Sequence, residues 1–156
     1  MTILLDIDGV LVTTPVWRAV ELHGDGFMEF NGRAAKNLAD ILDETGADII
    51  LTSTHRISYS VEEWKVLLMT RGIKPTALAK INGLVALDAM RDRAAEIEAW
   101  VNGPGVGKNY VIIDDDLSIN RLSSVIKNRF VLTKPMIGLD EAAALKALNI
   151  LRNGFK

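Results

Sequence analysis

The sequence contains no cysteine. That excludes disulfide frameworks, thiolate zinc sites and cysteine nucleophiles together. Histidine is almost as scarce, with only His23 and His55 present, too few for an imidazole-rich transition-metal centre. No apolar run approaches the roughly 18 residues of a membrane span. The start, Met1-Thr2-Ile3-Leu4-Leu5-Asp6, lacks the basic segment and cleavage site of a secretory leader. An excess of either charge is missing too: eighteen Lys and Arg face twenty Asp and Glu. A protein held to nucleic acid by non-specific attraction is usually basic, so binding of that kind would need a local patch. Internal repeats and low-complexity tracts are absent. The expectation is a cytoplasmic protein with no membrane partner, folded as a single domain over residues 1–156. A domain of this size buries roughly 68–70% of its unfolded surface and needs no metal or disulfide to fold.

Four short apolar runs stand out: Ile3-Leu4-Leu5, Ile49-Ile50-Leu51, Tyr110-Val111-Ile112-Ile113 and Phe130-Val131-Leu132. They are continuous rather than alternating, as expected of strands covered on both faces in a parallel sheet. Helical spacing lies between them. Leu38, Ile41, Leu42 and Thr45 form a stripe that Gly46 ends. Ser60 and Glu63 make a capping box ahead of Val61, Trp64, Leu67 and Leu68, with Gly72 beyond. Met90, Ala94, Ile97 and Val101 predict a third helix beside Trp100; Leu117, Leu122 and Val125 predict a short fourth. Leu145, Leu148 and Leu151 predict a last one ending near Gly154. Residues 74–88 have room for one further strand. The alternation predicts an α/β fold with right-handed crossovers.

Polar residues follow three of the four runs: Asp6-Ile7-Asp8-Gly9, Thr52-Ser53-Thr54 and Asp114-Asp115-Asp116. Ligands of open α/β sheets bind at the carboxyl ends of the strands, so parallel strands would gather up to five carboxylates at one edge. Two like charges about 4 Å apart repel by roughly 4 kcal/mol at an effective dielectric near 20. Such a cluster calls for a cation, and an all-oxygen site suits Mg²⁺. Singly each piece has a plainer reading: Asp-x-Asp-Gly as a turn, Asp116 as an N-cap for the segment from Leu117. The shared position after an apolar strand is what favours a site. Other motifs fail. An EF-hand beginning at Asp6 would need Gly and Glu where Leu11 and Trp17 stand. The run Gly103–Asn109 lacks the Ser or Thr of a P-loop and leads from helix to strand, so it is expected as a flexible connection. Ser53 and His55 lie two apart on one loop, and no nucleophile elbow surrounds the serine.

Asp6-Ile7-Asp8-Gly9-Val10-Leu11 resembles the first motif of the haloacid dehalogenase (HAD) superfamily. Thr52 resembles its second motif and Ile112-Ile113-Asp114-Asp115-Asp116 its fourth, in the same chain order. More narrowly, Ile50–Arg56, Arg93–Trp100 and Phe130–Thr133 with Gly138-Leu139 are similar to the HAD-like domain of "Swiss Army Knife" RNA repair proteins. That likeness spans nearly the whole chain. It implies a Rossmann-like three-layer α/β sandwich with a central, mostly parallel sheet. It also implies a Mg²⁺-dependent phosphohydrolase in which Asp6 is the nucleophile and Asp8 the general acid and base. Mg²⁺ would be held by Asp6, the main-chain carbonyl of Asp8 and Asp114, with Asp115 direct or through water. Thr52, Ser53 and a basic third-motif residue would hold the phosphoryl oxygens. Arg93 fits that motif best, with Arg91 and Lys80 as rivals. The family tends to carry Trp where this chain has His55; His55 and Arg56 are expected as substrate contacts.

The intervals from Asp8 to Ile49 and from Thr52 to Arg93 hold little beyond one helix each, so no large cap domain is expected. An open site admits the end of a polymer, which fits a polynucleotide 3′-phosphatase; nucleotides and phosphoproteins fit it as well. Trp17, Phe27 and Phe30 lie near the expected mouth, as stacking rings or as core. Two readings of other classes stand beside the enzyme. A non-catalytic HAD-fold binding module has no residue in its favour. A phospho-receiver domain gathers Asp, Thr and Lys at strand ends, and Lys134-Pro135 mimics its last element. Its acceptor Asp, however, should precede the Thr on a middle strand, and here Thr52 precedes the second Asp cluster.

Overall fold

The computed structural model describes residues 1–15, 17–82 and 92–154. Strands β1 (Thr2–Leu5), β2 (Asp48–Leu51), β3 (Leu78–Lys80), β4 (Tyr110–Asp114) and β5 (Phe130–Leu132) form one parallel sheet in the order β3-β2-β1-β4-β5. Helices α1 (Gly32–Thr45), α2 (Val61–Thr70), α3 (Arg93–Val101), α4 (Ser124–Lys127) and α5 (Glu141–Asn153) complete the α/β Rossmann-like sandwich. The strands are apolar at consecutive positions because side chains alternate between two covered faces. Ile3, Leu5, Ile49, Leu51, Val111 and Ile113 share a core with Leu38 of α1, Trp64 of α2 and Leu151 of α5. Leu4, Tyr110, Ile112 and Phe130 share the opposite core with Ile97 and Trp100 of α3 and Ile126 of α4.

Local chemistry sets the helix ends. The Asn31 side-chain oxygen, Oδ1, accepts the Ala34 N–H and caps α1, and Gly46 closes it at φ 64°. The Ser60–Glu63 capping box opens α2, and the Asp92 and Asp140 carboxylates cap α3 and α5. The strand within 74–88 is β3; Met90, Arg91 and the rest of 83–91 lie outside the described residues.

Three expectations are corrected. The stripe Leu117–Leu122–Val125 does not make one continuous helix. A 3₁₀ turn, Leu117–Arg121, is followed by the single turn α4, and Ile119 and Ile126 are buried while Leu117 and Val125 are exposed. Leu145 lies on the solvent side of α5, where Ala147 and Leu151 face the core. The glycine-rich run after α3 is a chain of hydrogen-bonded turns, with the Gly105 N–H donating to the Trp100 carbonyl at 2.7 Å.

The topology fixes where a site can lie. From β1 the chain builds outward to β3, then returns to the other side of β1 to add β4 and β5. The order therefore reverses between β1 and β4, and such a switch point opens a crevice at the carboxyl ends of the strands. No large cap covers it among the described residues, and none of their helices is long and apolar enough to cross a membrane.

Candidate active site

Asp6 directly follows β1 and Asp114 ends β4, so the switch point sets them on adjoining strands, with the Asp6 N–H on the Ile113 carbonyl at 3.1 Å. Thr52 follows β2, its N–H on the Leu5 carbonyl at 2.9 Å. Of the five carboxylates expected at this edge, three converge. Carboxylate oxygens of Asp6, Asp114 and Asp115 lie within 4.8 Å of one another. Asp116 turns away to cap the Leu117–Arg121 turn through the Ser118 N–H, and its own N–H donates to Asp114 Oδ1 at 3.0 Å. The Asp8 side chain points outward, 57% exposed.

Arg93, the first residue of α3, reaches into the cluster: its Nη1 lies 2.5 Å from Asp114 Oδ2 and 3.3 Å from Asp6 Oδ1. One guanidinium does not balance two buried acids and a half-buried third. Burial pushes Asp6 up to about 6, with Arg93 opposing and Asp115 adding to the rise. Burial and the neighbouring Asp6 push Asp114 up to about 7. Asp115 is raised by burial as well. Burial works against the charge on Arg93, but Asp114 and Asp6 outweigh it and hold its pKa above the ordinary value. Hard oxygen donors that repel one another at close range are the donor set a hard divalent cation takes. Thr52 Oγ1 supplies a second observation, since it is fully buried beside this edge and has no hydrogen-bond partner among the described residues. An orphaned hydroxyl of this kind costs about 1–3 kcal/mol, which an anionic ligand would recover.

The glycine of Asp6-Ile7-Asp8-Gly9 has a steric reason. Gly9 sits at φ +75°, and a Cβ on it would lie 2.1 Å from Asp115 Oδ2. The backbone can approach the fourth-motif carboxylate only without a side chain. Thr133, one residue past β5, donates its hydroxyl to the Gly9 carbonyl at 2.7 Å and fixes the same loop from the other side.

The loop after β2 is built around a buried cation. Arg56 lies in a 3₁₀ turn, Thr54–Ser58, and is 1% exposed. Its Nη1 donates to the Thr52 and Ser53 carbonyls at 3.0 and 3.2 Å, and its Nη2 to Glu96 Oε2 at 2.6 Å. This corrects the expected substrate contact: every contact of the Arg56 head is internal. The pair ties the Thr52 loop to α3 one turn beyond Arg93. Removing one partner of such a buried pair costs about 3–5 kcal/mol. Ser53 Oγ accepts the His55 N–H at 3.2 Å and so caps that turn.

His55 also sits differently from a free substrate contact. Its Nε2 is 2.8 Å from Asp8 Oδ2, and its ring meets Phe27 edge-on at 5.6 Å. The bond to Asp8 holds the imidazole above its ordinary pKa, against partial burial. Phe27 is core, packed on Tyr59 and Trp64, and Phe30 is half-buried beneath Arg71. Trp17 is exposed. Lys80 Nζ donates to the Tyr59 carbonyl at 2.5 Å, and Arg91 lies outside the described residues; Arg93 is the rival brought to the carboxylates. Sequence reasoning missed Glu96 and Thr133. Both lie within segments that resemble the family, Arg93–Trp100 and Phe130–Thr133, which was the available signal.

The chain matches the family described as the HAD domain in Swiss Army Knife RNA repair proteins over residues 2–144. No curated protein matches it.

Proposed function

We propose that this chain, which belongs to the family of HAD domains in Swiss Army Knife RNA repair proteins, is a Mg²⁺-dependent phosphomonoesterase working through an aspartyl-phosphate on Asp6. Residues 1–156 are read as one domain of this type. The observation that carries the reading is the convergence of Asp6, Asp114, Asp115 and Arg93 beside the unpartnered Thr52 hydroxyl at the switch point. Asp6, Asp114, Asp115 and the main-chain carbonyl of Asp8 would hold the Mg²⁺. When bound, the ion offsets the carboxylate repulsion and neutralises charge on the phosphoryl oxygens.

Each step assigns a proton and a bond. An Asp6 carboxylate oxygen attacks phosphorus in line, the bond from phosphorus to the ester oxygen breaks, and Asp8 gives that oxygen its proton. A water then attacks the phosphorus of the aspartyl-phosphate and loses a proton to Asp8. The bond between Asp6 and phosphorus breaks, freeing inorganic phosphate and the Asp6 carboxylate. Arg93 and the Thr52 hydroxyl hold the phosphoryl oxygens, with the Ser53 N–H, which has no acceptor among the described residues, beside them.

The substrate favoured is the 3′-phosphate end of a polynucleotide. The repair context of the family and an acid at the surface, with no large cap above it among the described residues, support that choice. Mg²⁺-dependent phosphate release from a panel tests it: 3′- and 5′-phosphorylated oligonucleotides, nucleoside monophosphates and sugar phosphates. Release confined to 3′ ends is expected. Preference for mononucleotides would move the assignment to nucleotide metabolism, and no release from any member would overturn the enzyme reading.

Two substitutions probe the geometry. Thr52→Val keeps the shape but removes the hydroxyl. Release should fall about 10²-fold, while the ligand-free protein becomes more stable by about 1 kcal/mol, since a buried unpaired group is gone. Losses of both, or of neither, would count against a phosphate-holding Thr52. Gly9→Ala forces Asp115 aside, and a displacement near 1 Å at a reacting site costs on the order of 10² in rate. Its circular dichroism should stay that of the parent.

A further inference from the structure

Asp8 poses a problem that its own surroundings do not solve. An acid that protonates a leaving group must present one oxygen toward it. Yet this carboxylate is 57% exposed, in the loop that follows β1, where solvent alone would leave it free to rotate. Among the described residues its carboxylate has one hydrogen-bond partner, Nε2 of His55 at 2.8 Å, contributed from 47 residues further along the chain.

That histidine is itself held on three sides. Its N–H donates to Ser53 Oγ at 3.2 Å, within a turn whose preceding carbonyls are clamped by buried Arg56. Arg56 is anchored in turn by Glu96. The edge contact with Phe27 at 5.6 Å then sets the ring plane, and Phe27 is locked against Trp64 at 5.3 Å. The ring is therefore a rigid donor on a rigid support, while its partner is the most exposed carboxylate of the site. A residue built in this way orients something else; nothing in its packing needs Asp8.

We infer that His55 is the positioning residue for Asp8: its Nε2–H fixes Oδ2, and so leaves Oδ1 as the oxygen that exchanges a proton with the leaving group. The inference rests on the phosphomonoesterase reading and deepens it, since it bears on the same acid. Its signature is selective. An activated aryl leaving group departs without help, whereas an alkoxide needs the proton. Losing the orientation of Asp8 should therefore slow alkyl phosphomonoesters and spare aryl ones, when judged by kcat/KM. That ratio reports the steps up to departure of the leaving group, before the water step in which Asp8 serves every substrate.

The experiment compares wild type, His55→Ala and His55→Gln in the presence of Mg²⁺. Substrates are 4-nitrophenyl phosphate and whichever alkyl phosphomonoester of the panel wild type cleaves fastest. His55→Ala should lower kcat/KM for the alkyl ester about 10–100-fold, part of what a positioned acid supplies, and for the aryl ester less than about threefold. His55→Gln places an amide N–H the same number of bonds from the backbone and should restore most of the alkyl activity. Equal losses on both esters, no loss on the alkyl ester, or a Gln variant as poor as the Ala variant would overturn the inference while wild-type turnover left the function standing. A wild type inert toward both esters would overturn function and inference together. A readout without turnover is the imidazole ¹⁵N spectrum at a pH where the ring is neutral; with two histidines in the chain, His55→Gln assigns it. The His55 ring should be the Nε2–H tautomer in wild type and lose that preference in Asp8→Ala. An unbiased tautomer mixture in wild type would overturn the inference.

Discussion

Asp6→Asn is expected to abolish phosphate release, by about 10⁴-fold or more, because the proposed nucleophile has no substitute in the site. The amide has the shape of the carboxylate but cannot attack phosphorus. Neighbouring acids do not stand in: Asp114 and Asp115 are proposed to hold the cation, and Asp8 faces His55. The fold should survive. In the metal-free protein, burial already disfavours the ionised form of Asp6, whose pKa lies at about 6 against an ordinary 3.8. A neutral isostere removes that penalty and weakens one contact of Arg93, which keeps Asp114 at 2.5 Å. The melting temperature should therefore stay within a few degrees of the parent, on either side. Trapping the aspartyl-phosphate in wild type by acid quench and finding none in the variant would complete the assignment. An Asp6→Asn protein with full turnover would sink it.

Metal dependence should be as large in effect and carry a pH signature. Chelation is expected to reduce turnover to background. The sign of the coupling follows from the raised carboxyls. Asp6 at about 6 and Asp114 at about 7 bind protons in the metal-free fold that the unfolded chain, near 3.8, has already lost. The stability these groups contribute is fully present below about pH 4 and is lost as pH rises through 6 to 7. At pH 8 the metal-free fold bears the whole repulsion, and a divalent cation relieves it. At pH 5.5 Asp6 and Asp114 are mostly protonated and must release protons before a cation can bind.

Mg²⁺ at a hundredfold excess over its Kd should add about 2.7 kcal/mol at pH 8, or roughly 5–10 °C in melting temperature for a chain of this size. At the same Mg²⁺ concentration the gain should fall by more than half at pH 5.5. Calorimetry in buffers of different ionisation heat would count the protons released. Asp114→Asn should lose most of the shift at both pH values. A shift independent of pH, or unaffected by Asp114→Asn, would place the cation elsewhere.

The parts of this protein that were legible in its sequence are those decided by neighbours along the chain. Ile3-Leu4-Leu5 and Tyr110–Ile113 announce strands covered on both faces, because alternating side chains meet two cores. Ser60 and Glu63 announce the start of α2, because the capping bonds close over three residues. Asp6, Thr52 and Asp114 announce an edge, because parallel strands in one sheet carry their carboxyl ends to the same side. The short turns after β4 were misread because one turn of helix is too brief to establish a period. The residues that face inward there, Ile119 and Ile126, lie in two different elements.

What only the tertiary structure decided are the pairings between distant segments. Sequence order made Arg56 and His55 equal candidates for substrate contact. Folding buries the first against Glu96, 40 residues away, and turns the second toward Asp8. It likewise sends Asp116 to a cap while Asp115 packs on Gly9. The physical reason is common to all of them. A local pattern fixes which face of an element is apolar and where its chain ends emerge. Which charge finds which partner depends on burial, since a buried guanidinium must be paired whereas the same group in water need not be. Burial is a property of the assembled layers, and no stretch of this sequence carries it alone.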